Sequence, residues 1–98
     1  MRVVYDTRAI DQLNAIRQWI LKHAGEQVAD RLVDSILARC ETLSRFPLRG
    51  TPRFELYPGL RTIPHRRRYS IGYLVNADGV TIVGIRSAGQ DFDVLTGS

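Results

Sequence analysis

Residues 69–85, YSIGYLVNADGVTIVGI, decide the fold. Two runs rich in β-branched and aromatic side chains, 69–75 and 80–85, flank Asn76-Ala77-Asp78-Gly79, whose Asp-Gly pair supplies the positive φ angles of a tight hairpin turn. Working upstream, Leu60-Arg61-Thr62-Ile63 predicts another strand and Phe54-Glu55-Leu56 a further short one. Residues 47–53, PLRGTPR, are a loop by composition. The second half is therefore predicted to be a meander of about three antiparallel strands.

The first half has a different period. Ala9, Leu13, Ile16 and Ile20 recur at helical spacing, and Asp6 or Thr7 is placed to cap that helix. Gly25 can end it in a positive-φ conformation, and Glu26 opens the next helix with a charge that suits a helix N-terminus. That second helix reads from about Glu26 to Arg45, with an apolar stripe Ala29, Leu32, Val33, Ile36, Leu37, Cys40, Leu43. It stops at Phe46-Pro47, because the residue before a proline is pushed out of the helical region. With so short a link, the two helices are expected to form an antiparallel hairpin. Residues 2–5, RVVY, predict a short N-terminal strand. The fold class is α+β: a short strand, an antiparallel helical hairpin, then a small antiparallel β-meander, in one domain over residues 1–98.

The 98 residues are 44% hydrophobic and 24% charged, with a net charge of +4, which suits a small globular domain and excludes a large cofactor-binding enzyme. Of the 14 basic residues, only Lys22 is Lys. Arg presents a planar fork of donors suited to carboxylate and phosphate, whereas Lys titrates more readily for catalysis. Residues 1–44 are neutral, with six basic and six acidic side chains, while seven Arg and one Glu fall within residues 45–68. That stretch is expected to form a basic face. The N-terminal sequence lacks the apolar run of a signal peptide, so a cytoplasmic location is expected.

Catalytic constellations are few. His23 and His65 lack an i+4 ligand partner, so no metal site and no cofactor are expected, and His23 is placed to complement the end of the first helix. Cys40, on an apolar stripe, reads as a buried small hydrophobe. Glu55, Arg61, His65, Arg66 and Arg68 could together cleave RNA, with Glu55 or His65 as general base and the arginines stabilising the charged phosphorane.

The phrases Ala9-x-x-x-Leu13-x-x-Ile16, Leu43-Ser44-Arg45-Phe46-Pro47-x-x-Gly50, Glu55-Leu56-x-Pro58-Gly59-Leu60-Arg61, Arg68-Tyr69-x-Ile71-x-Tyr73 and Val83-x-Ile85-Arg86, with Asp91 downstream, resemble ParE toxins of the ParE/RelE superfamily. The resemblance implies a strand, a helical hairpin and a small antiparallel sheet. It also implies the toxin of a type II toxin–antitoxin system that inhibits DNA gyrase by binding and is neutralised by a ParD-like antitoxin. The alternative is a RelE-like, ribosome-dependent mRNA endonuclease. RelE-type members use Lys or Arg, often Glu, and a His or Tyr near the C-terminus; here Glu55, Arg61 and Arg68 could fill the first positions. Residues 86–92, RSAGQDF, contain neither His nor Tyr, and loss of a general acid removes roughly 10²–10⁴ in rate.

A docking protein is therefore the expectation. Its target- or antitoxin-binding residues are expected to be Arg53, Arg61, Arg66, Arg68, Arg86, Trp19 and Tyr57. An acidic antitoxin tail would lie beside the helical hairpin, with Trp19, Ile10 and Tyr57 as apolar anchors. If residues 66–68 belong to a regular strand, Arg66 and Arg68 share one face and Arg67 takes the other, reaching toward Glu41 or Asp34.

Overall fold

The computed structural model describes residues 1–87. Strand β1 (Arg2–Tyr5) leads into helices α1 (Thr7–Ala24) and α2 (Glu26–Glu41), followed by a 3-10 turn (Thr42–Ser44) and strands β2 (Thr51–Pro52), β3 (Arg61–His65), β4 (Tyr69–Asn76) and β5 (Gly79–Ser87). They form one mixed sheet in the order β1-β5-β4-β3-β2. Only the β1–β5 pair is parallel; the α+β architecture is the expected one.

The Asp6 carboxylate caps α1 by accepting a hydrogen bond from the Arg8 N–H at 3.1 Å, and the Asp6 N–H donates to the Ile82 carbonyl. This joins the helix start to β5. Gly25, at φ 93°, ends α1 and begins α2. The helices bury Ala9, Leu13, Leu32, Ile36 and Cys40 against Ile63, Ile71, Tyr73, Val80, Ile82 and Ile85. On the opposite sheet face, Leu60 and Val83 form a second cluster with Leu56, Tyr57 and Leu74.

Residue Val83 explains how one strand serves both layers. Gly72 pairs with Gly84 but Tyr73 pairs with Ile82, so Val83 is an extra residue in β5. The bulge turns Ile82 and Ile85, three positions apart, toward the helices and Val83 toward the other face. Strict alternation would have separated Ile82 from Ile85.

Three local expectations are corrected. Residues 54–56 form turns, because the backbone closes on itself from Leu56 N–H to Arg53 carbonyl at 3.0 Å; β3's neighbour is Thr51–Pro52, where a missing proline N–H is harmless on an edge. Residues 66–68 are a hairpin loop, with Arg66 at φ 51° and Arg67 at φ 58°, so strand alternation does not apply. All three arginines are exposed, and Arg67 forms no ion pair with Glu41 or Asp34. In the β4–β5 turn neither Ala77 nor Asp78 has positive φ; the Asn76 side chain accepts from the Asp78 and Gly79 N–H groups at 2.9 and 3.0 Å instead. Gly79 is required there because a Cβ would strike the backbone of Arg2 in β1.

Candidate partner-binding site

Helix α2 runs back along β3, and this sets up a groove at one end of the molecule. Ser35 meets His65 and the Arg39 guanidinium donates to the Pro64 carbonyl at 3.2 Å, so the first turns of α2 reach the β3–β4 hairpin. There Ile20 of α1, Val28, Arg31 and Leu32 of α2, and Arg66, Arg68 and Tyr69 line an open groove of about 390 Å³. Its floor is apolar, and all three charges on its rim are positive. Val28 is 46% exposed. Trp19, next to Ile20 in the chain but not itself a lining residue, is 59% exposed and stacks on His23 at 3.9 Å. His23 Nδ1 lies 2.8 Å from the Trp19 carbonyl, as befits an imidazole donating into a helix C-terminus.

The remaining predicted site residues lie elsewhere. Arg53 pairs with Glu55 at 2.8 Å in the loop between β2 and β3. Arg61 donates to the Leu48 and Gly50 carbonyls at 3.3 and 3.0 Å and lies over the Phe54 ring. It therefore ties down the loop that precedes β3. Tyr57 is half-buried against the second cluster, in a turn closed by the Leu60 N–H to the Tyr57 carbonyl, with Pro58 followed by Gly59 at φ 80°. Arg86 is half-buried in β5, opposite Ser70 of β4. Residues 45–68 thus do not make one basic face. Arg61 and the hairpin arginines stand at opposite ends of β3, roughly 13 Å apart along the strand.

This spacing also separates the residues a nuclease would need. Glu55 and Arg61 lie at one end of β3, and Arg68 with His65 at the other. The hydrogen bond from Arg53 holds the Glu55 carboxyl below its ordinary range, which weakens it as a base. His65 titrates below its ordinary value, chiefly because it is desolvated, with Arg66 and Arg39 adding repulsion. The Ser35 hydroxyl donates to the Leu32 carbonyl at 2.7 Å, so His65 Nε2–H is assigned as the donor to Ser35 Oγ at 2.9 Å. Cys40 is fully buried; burial pushes its thiol up to about 11, which makes it a poor nucleophile. Among the described residues, no three His, Cys, Asp or Glu side chains converge to hold a metal. No described helix is long and apolar enough to cross a membrane.

Sequence reading missed Val28 and Arg31 as groove residues. Val28 is off the main apolar stripe of α2, and that offset was the available signal. It also missed the exposed Phe46, Leu48 and Phe54 around the loop that Arg61 braces. The segment carrying Asp91, part of the family resemblance, lies outside the described residues.

A helical hairpin laid on one face of a mixed five-stranded sheet defines the class as a small two-layer α+β protein, with a basic and apolar groove where hairpin and sheet meet. The profile of the family described as "ParE toxin of type II toxin-antitoxin system, parDE" matches residues 3–92, and the chain belongs to that family. Among solved structures it resembles one titled "Chromosomal ParDE TA system from P. aeruginosa", with a TM-score of 0.78 and 24% identity over 89% of this chain and 95% of that one. At that identity the likeness speaks for the fold. No curated protein matches the chain.

Proposed function

We propose that this ParE-family chain is a toxin that binds and inhibits DNA gyrase, is neutralised by a ParD-like antitoxin, and cuts no nucleic acid itself. The observation that carries the non-enzymatic part is the dispersal of Glu55, Arg61 and Arg68 to opposite ends of β3. General acid–base catalysis needs groups within hydrogen-bond reach of the same reacting atoms, and Arg61 is already engaged by two backbone carbonyls. Gyrase as the target fits membership of the ParE family.

The antitoxin's contact fits the groove beside Trp19. An acidic, apolar tail that folds on binding would set its carboxylates against Arg31, Arg66 and Arg68 and its apolar side chains on Ile20, Val28 and Leu32. Charge speeds such an encounter and fixes register, while apolar anchors supply most of the affinity. Expression of the chain in bacteria tests the reading. Cleaved DNA and an SOS response are expected before translation fails. Intact DNA with messenger RNA cut inside codons would instead establish the RelE-like alternative.

A further inference from the structure

The same groove has a candidate occupant within the chain. Two tethers show that α1 runs alongside β5 in the same direction: Asp6 N–H to the Ile82 carbonyl, then Ile85 N–H to Gln12 Oε1 at 2.7 Å. β1 accompanies β5 only as far as Ile82, so beyond that point α1 borders this edge. Trp19 stands seven residues after Gln12, two turns along the same flank and about 10.5 Å further. A strand covers that distance in about three residues. Ser87, the last described residue, therefore lies within about one residue of the level of Trp19. On its other side Ser87 pairs with Tyr69, which lines the groove.

The segment that starts there is Ala88-Gly89-Gln90-Asp91-Phe92-Asp93-Val94-Leu95-Thr96-Gly97-Ser98. It contains two carboxylates, no basic residue and the apolar group Phe92, Val94 and Leu95. The groove contains three guanidinium groups and an apolar floor of Ile20, Val28, Leu32 and Tyr69. An extended chain spans about 3.3–3.6 Å per residue, so Phe92 is within reach of every one of these side chains.

We propose that residues 88–98 dock in this groove in cis, with Phe92 and Leu95 on the apolar floor and Asp91 and Asp93 facing Arg31, Arg66 and Arg68. The tail covers the Trp19 flank as it enters. One consequence rests on the antitoxin reading above: an antitoxin tail would have to displace this segment, so the toxin's own tail sets the threshold for neutralisation. The docking itself needs no antitoxin and no gyrase.

Trp19 is the chain's only tryptophan and reports on the docking directly. Acrylamide quenching of its fluorescence should be compared between the full-length chain, the pair Phe92→Ser with Leu95→Ser, and the pair Asp91→Arg with Asp93→Arg. Both variants should raise the quenching constant about twofold and shift emission to the red, with unchanged far-UV circular dichroism, because an aromatic ring loses its cover. Arg68→Glu should release the tail in the same way, and combining it with the two Asp→Arg changes should restore part of the protection. Equal quenching in all these chains overturns the proposal. So does protection that fades on dilution while sedimentation shows a dimer, since a second copy then covers the groove. Either result leaves the toxin assignment, tested by expression, untouched.

Discussion

Tyr73 and Gly50 show how a residue can look like a motif and turn out to be a packing constraint. Tyr73 is fully buried, and its hydroxyl accepts a hydrogen bond from the Gly50 N–H at 2.8 Å. A Cβ on Gly50 would lie 2.5 Å from that hydroxyl. Gly50→Ala should therefore cost about 1–3 kcal/mol, read as a lower urea midpoint, because the buried ring has little room to yield. Arg61→Ala should loosen the neighbouring loop and bring protease cleavage between residues 45 and 60, so any loss of toxicity it causes must be read alongside stability. Cys40 was legible as a buried hydrophobe from its helical phase alone. The structural duty of Arg61 was not, since it depends on carbonyls 11 and 13 residues away in sequence. His65 gives a pH prediction. Its folded pKa lies below the ordinary 6.5, so on acidification the unfolded chain binds the proton first; His65's contribution is complete above about 6.5 and declines as pH falls toward the folded value. Glu55 has the same sign in a more acidic range, but it is exposed and contributes little. His65→Gln should flatten the fall in stability as pH drops below about 6.5, measured by urea titration at each pH.

At the scale of elements, the two hairpins exchange the chemistry expected of them. The β4–β5 turn carries the Asp-Gly signal yet turns on the Asn76 side chain, and its glycine serves the approach of β1. The β3–β4 loop carries no turn signal, yet places Arg66 and Arg67 in the left-handed region, at a cost of about 1 kcal/mol for each. Arg67→Gly should raise stability by about 0.5–1 kcal/mol in urea unfolding, because glycine accepts that backbone without penalty. Retaining arginine there fits a loop whose charges serve a partner at the expense of stability. The edge of β5 gives a complementary prediction. Gln12→Ala leaves the Ile85 N–H without its side-chain acceptor and should cost about 1–3 kcal/mol, with faster amide exchange at Ile85.

Across the whole molecule, the arginines of residues 45–68 are divided between the two ends of β3. The groove end joins three arginines to exposed Trp19 and Val28, and the other end joins Arg45, Arg49 and Arg61 to exposed Phe46, Leu48 and Phe54. Association with an acidic antitoxin tail should slow as salt rises, since charges beyond a Debye length of about 8 Å are screened at 0.15 M. Stopped-flow rates that are flat in salt would remove the arginine rim from the encounter. Arg66→Ala with Arg68→Ala should lower the association rate more than it raises dissociation, which separates steering from anchoring.

The amino-acid sequence by itself determined the order of strand, helices and meander, the helix caps and the apolar faces, because these follow from periodicities of two and 3.6 residues and from local backbone chemistry. It also carried the family, through phrases spread along most of the chain. Only the tertiary structure decided that β1 returns beside β5, that the extra residue Val83 lets β5 feed both layers, and that one run of arginines divides into two surfaces. Those outcomes depend on which distant backbones pair and how far a strand reaches. Spacing along a chain measures neither.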